Sequence, residues 1–130
     1  MSESIPDSHR DLVDRPIFGH LGTIRTDDTV QVNPMWFQFD GEHVRFTHNR
    51  TRVKFRNLQR NPSMSLSILD PDNPYRYLEL RGRLVEAIAD PTGGFYQELG
   101  RRYGNPDTPA PPDQDDRVIL VMSVERTHTK

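Results

Sequence analysis

The stretch THNRTRVKFRNLQRNP, Thr47 to Pro62, carries five of the chain's seventeen Lys/Arg residues and no acidic one. Arg52, Arg56 and Arg60 recur at every fourth position and form one stripe on a helix, while Lys54 projects from a different side. Between Thr51 and Gln59 the β-branched content falls, and Asn61-Pro62 stops the run, which predicts a short helix capped by Thr51 or Asn49. A helix start offers unpaired backbone N–H groups and the positive end of the helix dipole. With Thr47, Asn49, Arg52 and Lys54 around it, this junction is chemically suited to a phosphate. A solvated helix face accounts equally well for Arg56 and Arg60.

The basic character is focused. From His43 to Leu69 there are six Lys/Arg and no Asp/Glu, which leaves −8 on the remainder of a chain of net charge −2. A pI near 6.2 and an acidic remainder argue against a nucleic-acid binder and for a small acidic ligand. Trp36, Phe37, Tyr75 and Tyr77 fall in or beside segments that flank the junction, so a flat heteroaromatic ring next to a phosphate is one economical account of them. Ordinary packing is the better account of Phe37 and Phe39. His9, His20, His43, His48 and His128 lie on separate segments without ligand-like spacing, so no metal is expected. GxSxG, Walker and GxGxxG patterns do not occur, which leaves hydrolase, P-loop and dinucleotide-fold readings without local support. Zero cysteines exclude a disulfide framework, zinc-thiolate and iron–sulfur sites, and a cysteine nucleophile. With no basic start followed by an apolar run and no long apolar stretch, the expected setting is cytoplasmic, with no membrane partner, and the sequon at Asn49 is a chance match.

The elements that must position these residues fit one domain over residues 1–130. A polar N-terminal segment of about fifteen residues holds a short helix capped by Asp7 or Ser8 and broken at Asp14-Arg15-Pro16. FGHLGTIR reads as a strand, and VQVNPMWFQFDGEHVRFTHN as a hairpin turning at Asp40-Gly41. In its first arm Gln31, Asn33, Met35, Phe37 and Phe39 share one face, and Pro34 marks an edge or bulge. SMSLSIL, YRYLELRGRLVEAIAD with a bulge at Gly82, and RVILVMSVERTHT supply the remaining strands. Asp90 and Pro91 are expected as N-cap and first residue of a helix over PTGGFYQELGRRYG. The proline-rich loop 104–116 is expected to be exposed and mobile. Six strands with short connections imply a mainly β fold, a small closed or nearly closed barrel with short flanking helices.

GTIRTDDTVQVNPMWFQFDGEHVRFTHNRTRVKFRNLQRNPSMSLSIL resembles the pyridoxamine 5′-phosphate oxidase-like split-barrel flavoproteins, and within them the actinobacterial deazaflavin-dependent oxidoreductases. The likeness runs from about Gly19 to near Asp90 and resumes at DRVILVMSVERTHT, and its most specific element is RxKxRNLxRNP. The resemblance implies a six-stranded split β-barrel and a homodimer with a cofactor site at the subunit interface. It places Thr47, Asn49, Arg52, Val53, Lys54 and Asn57 at the cofactor's phosphate or ring, and Gln31, Asn33 and Met35 along the ring. Tyr75 and Tyr77 would approach from the second subunit. The implied cofactor is coenzyme F420, with FMN as the alternative. FMN ends at its phosphate, whereas F420 continues into an acidic oligoglutamate tail that Arg50, Arg56, Arg60, Arg101 and Arg102 could meet. The activity implied is hydride transfer from reduced F420 to an unsaturated or quinone-like small molecule; a non-catalytic carrier of the cofactor is the other reading. Tyr77 or solvent would supply the product's proton, and no catalytic residue is identified.

Overall fold

The structure is a computed structural model that describes residues 3–130. Its strands are β1 (Gly19–Ile24), β2 (Val30–Met35), β3 (Gln38–Phe39), β4 (Val44–Asn49), β5 (Ser63–Leu69), β6 (Tyr77–Ala89), β7 (Arg117–Met122) and β8 (Arg126–Thr129). Helices α1 (Asp11–Asp14), α2 (Val53–Arg60) and α3 (Gly94–Arg102) flank them. The strands pair antiparallel in the order β2-β1-β5-β6-β7-β4-β3, with β8 added on β6. This is the curled, mainly β split barrel that the sequence predicts.

Thirteen-residue β6 carries the split. Its first half pairs with β5 and β8, its second half with β7, and the register shifts between Leu84 and Glu86. The irregularity therefore falls beyond Gly82. That glycine serves a close approach instead, because a Cβ there would lie 1.9 Å from the Ser123 carbonyl oxygen.

Eight strands replace the six expected, because two predicted runs each divide. RVILVMSVERTHT becomes β7 and β8. The run 30–39 breaks at Trp36-Phe37, where Arg102 at the end of α3 and Tyr103 just beyond it supply the hydrogen-bond partners that a neighbouring strand would have given. Phe37 N–H donates to the Tyr103 hydroxyl at 3.0 Å, and Arg102 Nε donates to the Phe37 carbonyl at 3.1 Å. The hairpin at Asp40-Gly41 consequently keeps only β3 on β4. Asp40 Oδ1 accepts from the Glu42 and His43 N–H groups there, with Gly41 at φ 99°. β2 pairs with β1 and ends the sheet order, an edge position that admits Pro34.

The core gathers Leu21, Phe37, Phe46, Leu66, Ile68, Leu78, Leu80, Leu120 and Met122 from both halves of the barrel, all fully buried. Leu12 and Val13 join it, so the polar N-terminal segment is anchored to the core. No side chain caps α1; a 3-10 turn at Asp7–His9 leads into it. Arg102 holds its far end, donating to the carbonyls of Val13, Asp14 and Arg15.

α3 also starts later than predicted. Its N-cap is left-handed Gly93 (φ 69°), and Asp90 reaches across to accept the Phe95 N–H at 3.0 Å. The segment 104–116, read from the sequence as exposed and mobile, carries several ties. Asn105 N–H donates to the Gly100 carbonyl, Gln97 Nε2 to the Thr108 carbonyl, and Arg50 N–H to the Asp116 carbonyl.

Candidate functional site

β4 ends at Asn49, and α2 begins after three intervening residues. Arg52, with extended backbone, is its N-cap. Asn49, and not Thr51, shapes the corner: its Oδ1 accepts both the backbone N–H and the hydroxyl of Thr51, at 2.7 and 2.6 Å. The first backbone bond into the helix comes from Arg56 N–H to the Arg52 carbonyl. The N–H groups of Val53, Lys54 and Phe55 therefore point out of the helix start, and no acidic side chain lies in the first turn.

Across from that start runs β2 with its polar side inward. Val30 and Val32 are 57% and 58% exposed, while Gln31, Asn33 and Met35 are half-buried. The two elements enclose a cleft of about 430 Å³ lined by Gln31, Asn33, Pro34, Met35, His48, Arg52, Val53 and Lys54. Six of the predicted site residues meet in it. Asn57 touches it at one remove, donating from Nδ2 to Gln31 Oε1 at 3.3 Å, while Gln31 Nε2 donates to Asn33 Oδ1 at 2.9 Å.

The cleft is electrostatically unfinished. Lys54 is buried and forms no ion pair among the described residues; its ammonium meets Met35 Sδ at 3.2 Å. Burial, and then the charge of Arg52, lowers its pKa. His48 Nε2 is buried and has no hydrogen-bond partner among the described residues. Burial first, then Lys54, Arg117 and Arg52, push the imidazole down to about 4, against a smaller opposing effect of Asp113. Neutral histidine, buried lysine and open helix N–H groups together form a set of donors suited to an anion.

The five basic residues of 47–62 divide into two groups. Arg50 pairs with Asp116 and Arg60 with Asp28, whereas Arg52, Lys54 and Arg56 form no ion pair among the described residues. With Arg102 committed to backbone carbonyls, Arg56 and Arg101 are the ones left uncommitted among the five arginines read as tail contacts.

The other predicted site residues lie elsewhere. Thr47 and His48 point to opposite faces of β4, and it is His48 that lines the cleft. Thr47 is buried behind it, its hydroxyl accepting from Arg117 Nη2 at 2.6 Å. Asn49 is held by its corner and by a 2.6 Å bond from Nδ2 to Asp113. Tyr75 is 78% exposed in the turn before β6, and Tyr77 packs on His128 with ring centroids 5.9 Å apart. Neither tyrosine lines the cleft of its own chain.

His48, Arg117 and Asp113 were not foreseen. His48 has no metal-ligand spacing, and strand alternation from Thr47 is the one sequence signal that puts it on the cleft side. Arg117 and Asp113 reach the site only through the β4–β7 pairing, across more than sixty residues of sequence.

A split barrel with an anion-seeking cleft at a strand-to-helix corner is the architecture of flavin-type oxidoreductases. The pyridoxamine 5′-phosphate oxidase family matches over residues 5–130, and the chain belongs to that family. A solved structure named as an F420 reductase shares 49% identity over 95% of this chain and 98% of its own, with a TM-score of 0.92. Two more distant structures share the fold. A conserved hypothetical protein of Mycobacterium tuberculosis is 22% identical over 96% of this chain and 84% of its own, TM-score 0.75. HupZ of Group A Streptococcus is 16% identical over 96% and 93%, TM-score 0.64. A search of curated proteins finds no match. No helix among the described residues is long and apolar enough to cross a membrane.

Proposed function

We propose that the chain is a homodimeric reductase that binds coenzyme F420 in the cleft between β2 and α2 and reduces an unsaturated or quinone-like small molecule. The observation that carries this reading is Lys54, a buried ammonium without a carboxylate, beside the partnerless Nε2 of His48 and an open helix start. Likeness to a protein named as an F420 reductase supports F420 over FMN, as does Arg56, a free cation one helical turn beyond the phosphate position.

When bound, reduced F420 supplies a hydride from C5 of its ring, and with one proton from water the acceptor takes up two electrons. The chain's own residues do the holding. Lys54, Arg52 and the N–H groups of Val53 to Phe55 anchor the phosphate. Gln31 and Asn33, fixed to each other, present amides along the ring edge. Asn57 is a positioning residue that holds the Gln31 amide in orientation. Met35 and Val53 cover apolar ring surface and exclude water.

Fluorescence titration with F420, FMN and a tail-less deazaflavin tests the cofactor. Full-length F420 should bind most tightly, and removing its tail should weaken binding at low salt more than at high salt. Tighter binding of FMN would transfer the reading to an FMN oxidoreductase. Binding of F420 without oxidation of its reduced form by any quinone or enone would leave a carrier.

The dimer reading has its own support. Val30 and Val32 form an exposed apolar strip on an edge strand beside the cleft. Tyr75 and Tyr77, which do not line the cleft of their own chain, are available to the cleft of a second copy. Sedimentation at micromolar concentration should give about twice the 15.1 kDa chain mass. A monomer that binds F420 tightly would contradict this.

A further inference from the structure

The corner between β4 and α2 is tied from outside, by the segment just before β7. Asp113 Oδ2 accepts from Asn49 Nδ2 at 2.6 Å, and Arg117 Nη1 donates to the same oxygen at 3.4 Å. Asp116 adds two links to the next residue of the corner. Its carbonyl accepts from the Arg50 N–H at 3.0 Å, and its carboxylate pairs with the Arg50 guanidinium at 3.0 Å. The segment is itself anchored. Pro111 is buried against Gly93, where a Cβ would lie 2.4 Å from the Pro111 Cδ. From there the N–H groups of Gln114 and Asp116 donate to the carbonyls of Pro111 and Asp113.

A carboxylate can only accept hydrogen bonds. Asp113 is held ionised at neutral pH, its pKa lowered first by the hydrogen bond from Asn49. It therefore draws the Nδ2 end of the Asn49 amide to itself and leaves Oδ1 to face the corner. There Oδ1 takes both the N–H and the hydroxyl of Thr51, while the Asn49 carbonyl takes the Arg52 N–H at 3.1 Å. A reversed amide would set its NH2 against the Thr51 N–H, donor against donor. Directly after Arg52 come the N–H groups of Val53 to Phe55 that the helix start leaves open. Asp113 does not line the cleft, so it acts on those groups only through Asn49.

We infer that Asp113 is a positioning residue of the anion cleft: acting through the Asn49 amide, it fixes the turn from which the α2 N–H groups reach a bound phosphate. This rests on the reading of the cleft as an anion site, but not on which cofactor carries the anion. Charge and position here make opposite demands. Asp113 is close enough to act on the charge of His48, which lines the cleft. By charge alone, removing this carboxylate strengthens the binding of an anion. By position, losing its acceptor oxygen frees the Asn49 amide and weakens that binding.

Asp113→Asn and Asp113→Ala remove the same charge, and only the first keeps an acceptor for Asn49 Nδ2. Inorganic pyrophosphate and, separately, F420 are titrated into the parent and both variants at pH 7. The amide resonances of Thr51 to Phe55 report the first ligand, and fluorescence reports the second. Asp113→Asn should bind pyrophosphate at least as tightly as the parent, and Asp113→Ala at least about fivefold more weakly than Asp113→Asn. Hydrogen exchange at the Thr51 amide of the ligand-free protein should speed up in Asp113→Ala and not in Asp113→Asn. Equal pyrophosphate affinity in the two variants, or no shift of Thr51 to Phe55 in the parent, would overturn the inference. Should Asp113→Ala not fold, Asp113→Glu replaces it, keeping the charge and displacing the acceptor. It should bind pyrophosphate more weakly than the parent, and parent affinity would overturn the inference. The split between Asn and Ala for pyrophosphate, with no F420 bound by the parent, would uphold Asp113 and sink the F420 reading. F420 bound equally by the parent and every variant would uphold the F420 reading and sink Asp113.

Discussion

Lys54→Ala should weaken F420 binding by about 1.5–3 kcal/mol, or about 10- to 150-fold in Kd, the loss expected for a charge-assisted hydrogen bond. The structure adds a second expectation that separates a binding role from a structural one. Among the described residues the buried Lys54 ammonium has only the Met35 sulfur as a hydrogen-bond partner and Arg52 as a charged neighbour, so its charge destabilises the cofactor-free protein, in keeping with its lowered pKa. Lys54→Met keeps the stem's packing and removes the ammonium. That variant should melt at a higher temperature than the parent without cofactor, and gain less from added F420. Isothermal titration and thermal melts on the same preparations decide the matter. Undiminished affinity in both variants, with the fold intact, would remove Lys54 from the phosphate site.

Arg52 is expected to behave differently although it belongs to the same cleft. It lies at the N-cap with no ion pair, and its backbone carbonyl receives the helix's first bond. Losing its side chain therefore removes one phosphate contact and relieves the repulsion that lowers the Lys54 pKa. The two effects partly offset each other.

The same cleft shows what the chain discloses locally and what it does not. Ser63 to Leu69 alternates as a strand buried on one side, and the structure keeps that alternation residue by residue. Asp40-Gly41 turns where positive φ is needed. The helix after Asn49 appears within two residues of its expected start. These signals lie within a few neighbouring residues.

Strand pairing is different. Nothing within 30–49 says that β2 must leave β4 for β1, because the cause sits on Arg102 and Tyr103, more than sixty residues away. Alternation likewise defines two faces of β2 without saying which looks inward. Hydrophobicity would bury Val30 and Val32, yet Gln31 and Asn33 face the cleft. A polar cleft on one side and an apolar strip on the other invert the usual pattern. Thr47, placed at the phosphate by the resemblance, lies behind the cleft for a similar reason: its partner Arg117 arrives on β7.

His48 gives the cofactor-free protein a pH dependence whose sign is fixed. Its imidazole titrates at about 4 when folded and at 6.5 when exposed, so between those values the unfolded chain binds more protons. Stability is complete above pH 6.5 and is lost as pH falls toward 4. By pH 5 the loss from this one group should be about 2 kcal/mol. Urea unfolding of the parent and of His48→Gln at pH 7 and pH 5 isolates it, and an equal pH slope in both proteins would rule the effect out. Lys54 on α2, Arg52 at its N-cap and Arg117 on β7 oppose protonation, and Asp113 favours it. An anion in the cleft adds the negative charge and the acceptor that Nε2 lacks, so binding should raise the His48 pKa and take up protons in this window. The two candidate cofactors then separate. The phosphate of F420 is a diester of constant charge, so its affinity should increase as pH falls from 7 to 5, and His48→Gln should abolish the increase. FMN carries a monoester that loses charge below about pH 6, which opposes the histidine effect. Calorimetry in two buffers of different ionisation enthalpy measures the proton uptake directly. Proton-neutral binding of F420 at pH 5.5 would mean that the phosphate does not lie against His48.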